Sequence, residues 1–445
     1  MRDGTARRRI LICALSAASL LGLLALGGPL RGAPPEGDNP WPQIRKERIQ
    51  VLLPRAMERV GVDAWLVLCR ENANDPLALH VGGENAGRTA AFLFLFKDGA
   101  VHSVAFSPVG EATALKDIGL HDEVVVLERG QDAIAAVAHR LRKLDPSSIA
   151  VNSSAAGVAD GLSFTQHRTL VKALGPDLEG RLFSSQGLVE EWLSIKLPAE
   201  IEILREAALL TERLEREAYA TVVPGRTRDS DVGRFLKKRM QELGVEDAWA
   251  PAQNPNVNSG PDRGHSHATD RVIRPGDFIQ TDFGIKVHGV WCTDIQRFAY
   301  VLAPGETAPP KDALEKWEKS KGGSRAAFGA MRSGVRGYDV DAVQRAFMDQ
   351  AGSEHVMWGT GHPVGYWAHD MGPALSGAQR PGPPSGASLR ELEPGQVFAF
   401  DGFFSWSLAE GGTKTLSVEE MAVITESGAA WLIPPQEELI LIPSP

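Results

Sequence analysis

The chain has 445 residues, 23% of them charged and 43% hydrophobic, and carries a formal net charge of -9. That length exceeds one ordinary core and predicts about two domains plus a processing segment. The acidic balance excludes a nucleic-acid partner, because no basic stripe is present to displace phosphate counterions.

The first residues read as an export signal spanning 1–33. Arg7 to Arg9 form a positive start, an apolar run extends from Ile10 to Leu26, and small residues, Gly and Pro lead to Ala33. Left uncleaved, a run of this length would act as a membrane anchor. Cys13 lies inside it, which leaves Cys69 and Cys292 in different domains and provides no disulfide framework.

After a Pro/Gly-rich linker, Arg45 to Val60 predicts a helix stopped at Gly61, and Ala64 to Leu68 a buried strand. Ala91 to Phe96 and Val101 to Phe106 predict a hairpin, since Asp98-Gly99 supplies the positive φ that such turns require. A strand at Val124 to Leu127, a helix at Asp132 to Leu144 and a strand at Ile149 to Asn152 complete an α/β domain over 34–195. Its histidines, His80, His102, His121, His139 and His167, are scattered rather than at ligand spacing and read as surface or structural.

From residue 196 to 445 the pattern changes. Glu200 to Ala220 predicts a long amphipathic helix, with Ile201, Leu204, Ala208, Leu214 and Ala218 near helical spacing. A second helix runs through Phe235 and Met240 to a stop at Gly244, and an echo of it runs through Val343 and Phe347 to Gly352. Two Pro-Gly turns, Pro275-Gly276 and Pro394-Gly395, each lead into an alternating strand with an acid seven positions after the proline, Asp282 or Asp401. Each half adds a second acid, Asp294 or Glu419. The order helix, helix, strand, acid therefore occurs twice. It predicts a duplicated α+β domain with a pseudo-twofold axis, an antiparallel sheet flanked by helices, and Asp282 and Asp401 near its centre.

In the strand Phe278 to Phe283, alternation puts Asp282 on one face with Phe278 and Gln280. Four carboxylates in equivalent settings would repel strongly unless cations compensate them. GTGHPVGYWAHD adds His362 among glycines, and His369 followed by Asp370. Oxygen-rich ligation with one imidazole suits two divalent ions, Mn²⁺ first and then Co²⁺, Fe²⁺ or Zn²⁺. His369 and His265 are candidates for polarising a substrate or stabilising an oxyanion.

At these residues the chain resembles the metallopeptidase family of methionine aminopeptidase, prolidase and Xaa-Pro aminopeptidase, with a creatinase-like α/β N-terminal domain before a pita-bread catalytic domain. The resemblance implies a dinuclear centre held by Asp282 (TDFG), Asp294 (TDIQR), His362 (GTGHPVG), Asp401 (FAFDG) and Glu419 (SVEEMAVIT), with Asp294 and Glu419 bridging. It implies Asp401 as general base and His369 (WAHD) and His265 (GHSHATD) as substrate-side histidines, His267 being the fallback for His265. It further implies a homodimer and a hydrolase of short Xaa-Pro peptides, which the N-terminal segment predicts to be exported. The alternatives are a small-osmolyte hydrolase or lyase on the same fold and a catalytically impaired binding homologue.

Three features depart from the family pattern. Asp401-Gly402 stands where glutamate followed by Pro-Gly is usual, and Ser417 stands where arginine is usual. Asp282 and Asp294 are separated by 294 - 282 = 12 positions where the family usually has one fewer, implying a longer hairpin or a bulge near His288-Gly289.

Overall fold

The computed structural model describes residues 38–262, 264, 266–378 and 381–444. The segment read as an export signal and His265 lie outside them.

A helical stretch opens the described chain, from Trp41–Glu47 through a π-helical turn at Arg48–Leu52 to Leu53–Val60. It ends at Gly61, whose φ of 72° suits a residue without Cβ. A six-stranded mixed sheet follows, built from β1 (Ala64–Arg70), β2 (Thr89–Lys97), β3 (Ala100–Pro108), β4 (Glu123–Leu127), β5 (Ile149–Val151) and β6 (Leu182–Ser184). Its order is β4-β3-β2-β1-β5-β6. The β2/β3 hairpin turns at Asp98-Gly99, both with positive φ. The helix after β4 is capped by Asp132, whose side chain accepts from the Ala135 N–H. The helices Val109–Ile118, Phe164–Leu174 and Gln186–Ser194 go beyond the sequence expectation.

The remaining strands are β7 (Glu246–Asp247), β8 (Asn256–Ser259), β9 (Phe278–Phe283), β10 (Ile285–Val287), β11 (Trp291–Cys292), β12 (Ile295–Val301), β13 (Gly361–Pro363), β14 (Val397–Ser407), β15 (Thr413–Thr425), β16 (Gly428–Trp431) and β17 (Ile440–Ile442). They hydrogen-bond as two four-stranded ladders, β17-β12-β9-β8 and β13-β14-β15-β16, plus a small β11-β10-β7 ladder. Two helices precede the strands of each half: Pro198–Ala220 with Asp229–Leu243, then Lys311–Ala330 with Gly337–Ala351. The expected repeat of helix, helix and acid-bearing strand is thus present.

The ladders abut at β12 and β15 through side chains. Ser417 Oγ donates to Gln296 Oε1 at 2.7 Å, and Arg297 Nη1 donates to Glu420 Oε2 at 3.0 Å. Between Asp282 and Asp294 the chain makes β10, a turn and β11. The turn has positive φ at both His288 and Gly289 and a hydrogen bond from Val290 N to Val287 O, the hairpin geometry in which both central residues are left-handed.

Glycine sets one approach. Helix Lys311–Ala330 lies so close to β14 that a Cβ at Gly402 would sit 2.0 Å from Ser324 N and 2.2 Å from Ser320 O. Ser320 Oγ also donates to Gly402 O at 2.7 Å. One continuous apolar core joins both parts of the molecule, from Trp41, Met57, Trp65 and Trp192 to Leu204, Phe283, Val397 and Leu432.

Candidate metal centre

Period-two alternation aims the acids at the junction of the two ladders. Asp282 in β9 stands opposite Gln296 in β12, Asp294 immediately precedes β12, and Asp401 in β14 stands directly opposite Glu419 in β15. One carboxylate oxygen from each of Asp282, Asp294 and Glu419 lies within 4.8 Å of the other two, and all three side chains are buried. Asp294, His362 and His369 form a second group within the same limit. The imidazole expected on the substrate side therefore stands against His362, with ring centroids 4.1 Å apart.

Asp401 belongs to neither of these groups, so its shorter side chain stands back from the others. It is still near enough for charge to matter. Burial first, and then the charge of Asp282, hold its carboxyl well above the ordinary carboxylate range. Burial and neighbouring acids do the same to Asp294 and Glu419. Such a cluster holds either protons or cations.

His362 decides which donor set is on offer. Burial, then the neighbouring His369, push its pKa down to about 3, so the ring is neutral. Nδ1 lies 3.1 Å from the Pro363 carbonyl, which can only accept, so Nδ1 carries the proton and Nε2 keeps its lone pair. That Nε2 faces Asp294 Oδ2 at 3.8 Å and Glu419 Oε1 at 4.0 Å. With the ring neutral and both carboxylates ionised, these three atoms are acceptors only. Glu419 Oε2 is also buried without a hydrogen-bond partner among the described residues. Hard oxygen donors with one or two neutral imidazoles fit divalent cations of the Mn²⁺ to Zn²⁺ series.

A polar layer that the sequence reading did not assign adjoins the ligands. Gln296 Nε2 donates to Asp401 Oδ1 at 3.4 Å. Helix Gly337–Ala351 holds the Asp401 backbone, since Gln344 Nε2 donates to Asp401 O at 2.9 Å, and Arg345 brings positive charge near the carboxylate. A usable signal existed for Gln296. The alternation that put Gln280 beside Asp282 also puts Gln296 on the face of Asp294.

The acids and His362 line a cleft of about 1110 Å³ whose apolar walls include Trp249, Trp358, Trp367 and Phe403. His369 lines it as well. His267 is exposed and is not among the described residues lining the cleft. Asp370 turns away from it, pairing with Lys196 Nζ at 3.1 Å and accepting from the Tyr366 N–H at 2.9 Å.

Comparison with known proteins identifies the fold and the family. A Mycobacterium tuberculosis protein named "Probable dipeptidase PepE" is 28% identical over 252 residues, 56% of this chain and 61% of that protein. The match thus spans less than two thirds of that relative's length. The Bacillus subtilis protein named "Uncharacterized peptidase YqhT" is 28% identical over 258 residues, 57% of this chain and 66% of that protein. Among solved structures, an Xaa-Pro dipeptidase from Bacillus anthracis superposes with a TM-score of 0.67 at 21% identity, covering 90% of this chain and 100% of that one. An X-Pro aminopeptidase from Thermotoga maritima gives 0.65 at 22% identity, covering 87% of this chain and 100% of that one. At these identities the likeness establishes the fold, an α/β unit followed by a pita-bread domain. The model of metallopeptidase family M24 matches residues 202–426, which carry Asp282, Asp294, His362, His369, Asp401 and Glu419, and the chain belongs to that family.

Proposed function

We propose that the protein is an exported, metal-dependent peptidase that hydrolyses short peptides, Xaa-Pro substrates among them, with two divalent ions, Mn²⁺ first. The observation that carries this reading is the convergence of three acceptors, His362 Nε2, Asp294 Oδ2 and Glu419 Oε1. Family membership supports the peptidase class. The names of the similar proteins support dipeptides or Xaa-Pro bonds as substrates.

Asp282, Asp294, His362, Asp401 and Glu419 would hold the ions. Bound there, the ions supply Lewis acidity and a water acidified toward neutral pH. Asp401, set back from the tight trio, takes the proton of the attacking water and passes it to the leaving amine. His369, on the cleft wall beside His362, orients the scissile carbonyl, and His265 is its proposed partner. The aromatic walls exclude water from the side chains flanking the bond. A homodimer closing over the cleft completes the reading.

The test is hydrolysis of Xaa-Pro and Xaa-Ala dipeptides and tripeptides by protein loaded with Mn²⁺, beside a chelated control. Chelator-sensitive turnover is expected. Asp282→Asn and His362→Ala should each lose bound metal and lower turnover roughly a hundredfold or more, the scale at which whole ligands and their partners matter. Either variant keeping both metal and rate would sink the assignment. The position of Asp401 outside the tight trio favours one second reading, an impaired homologue that binds metal and peptide without cutting it. Bound metal without turnover on any peptide of the panel would select it.

A further inference from the structure

We propose that Gln296 is a positioning residue that aims the short Asp401 side chain at the cation site, and that Gln280 and Ser417 exist to fix the direction of its amide. The inference rests on the metal-site reading above. It concerns a part of the site that family resemblance leaves empty, because Ser417 stands where an arginine is usual.

Counting donors fixes the arrangement. Ser417 Oγ has one proton, and it goes to Gln296 Oε1 at 2.7 Å. Gln280 Nε2 donates to the same oxygen at 2.7 Å and to Ser417 Oγ at 2.8 Å. Gln296 Oε1 therefore receives two protons from behind, and the opposite end of the amide, its two N–H groups, must face the other way. There it meets Asp401 Oδ1 at 3.4 Å. Gln280, Gln296 and Ser417 are all buried, with 1%, 3% and 2% of their surfaces exposed, so water does not offer the amide another orientation.

Geometry supplies the need. An aspartate lacks one methylene of a glutamate, roughly 1.5 Å of reach, and Asp401 is the one acid of the four outside the tight carboxylate group. A neutral donor beside it holds the carboxylate toward the centre without adding to the positive charge of Arg345, which already competes with a cation. The clamp bridges both ladders, Gln280 and Gln296 coming from β9 and β12 and Ser417 from β15. It thus also sets the spacing between Asp282 and Glu419.

The experiment is calorimetric titration of the full chain, stripped by chelator, with Mn²⁺. Gln296→Leu should weaken Mn²⁺ binding roughly ten- to a hundredfold, the usual cost of losing a partner of a metal ligand. The circular dichroism of the metal-free chain should not change. Adding Asp401→Glu to Gln296→Leu should restore most of the affinity, because the longer side chain reaches without help, a rescue that a merely structural glutamine would not show. Unchanged affinity in Gln296→Leu, or no rescue by Asp401→Glu, overturns the proposal. If Gln296→Leu does not fold, Ser417→Ala loosens the clamp alone; a severalfold loss of affinity supports the proposal and wild-type affinity overturns it. A wild-type chain that takes up no Mn²⁺ overturns the metal reading itself and this inference with it.

Discussion

Burial strips charge from histidines at two places in this protein, with opposite consequences. In the cleft, the neutral His362 offers a lone pair to a cation. In the N-terminal unit, just before β4, His121 is neutral because burial, and then Arg45, push its pKa down to about 4, although its ring lies 3.0 Å from the Val81 carbonyl. His80 is likewise buried and held well below its ordinary range by burial and then Arg48. Between pH 6.5 and about 4 the unfolded chain takes up a proton at His121 that the folded chain refuses. Stability linked to this residue is therefore complete above 6.5 and falls as pH drops toward 4. The linkage is worth at most about 3 kcal/mol. His121→Gln keeps a donor for Val81 and should flatten the acid limb of a plot of melting temperature against pH. A limb of unchanged slope would assign acid sensitivity to other groups.

Among the elements, the contact between helix Lys311–Ala330 and β14 has little slack. Gly323 in the helix meets Gly402 in the strand, where a Cβ at Gly323 would lie 3.2 Å from the Gly402 Cα. Gly402→Ala should destabilise by about 1–3 kcal/mol, as overpacking does, and should shift the neighbouring Asp401. Urea unfolding of the metal-free chain measures the first effect and Mn²⁺ affinity the second. The strands bearing the site were legible in the sequence because alternation and the Pro-Gly turns are local signals, and they placed Asp282, Asp401 and Glu419 in register. The meeting of β12 with β15 was not legible, because Gln296 and Ser417 are 121 residues apart and nothing local marks them as partners. The edge-to-face contact of the His362 and His369 rings was not legible either, because it forms only once the loop between them folds back.

Across the whole molecule, buried ion pairs tie the first unit to the loop that carries those histidines. Arg48, from the opening helical stretch, donates to Glu200 Oε2 at 2.6 Å, and both side chains are fully buried. The other oxygen of Glu200 accepts from Tyr366 and from Trp291 Nε1, and Tyr366 lies between His362 and His369 in sequence. Arg48→Ala leaves Glu200 charged and unpaired in the interior. It should cost about 3–5 kcal/mol, read as a lower urea midpoint. Because the apolar core is continuous as well, the chain should unfold in one calorimetric transition, and two resolved transitions would show that the ties are weaker than their burial implies.

The packing at Gly402 bears on how this sequence could have diverged and whether it could return. Family resemblance places glutamate then proline where this chain has Asp401 then Gly402. Lengthening residue 401 meets open cleft, whereas any side chain at 402 meets the backbone of Ser320 and Ser324. The first substitution is reversible in a single step, and the second is locked until the helix carrying Gly323 moves away. The two changes, adjacent in sequence, thus have separate histories, and a laboratory lineage selected for a longer acid should regain glutamate at 401 while keeping glycine at 402.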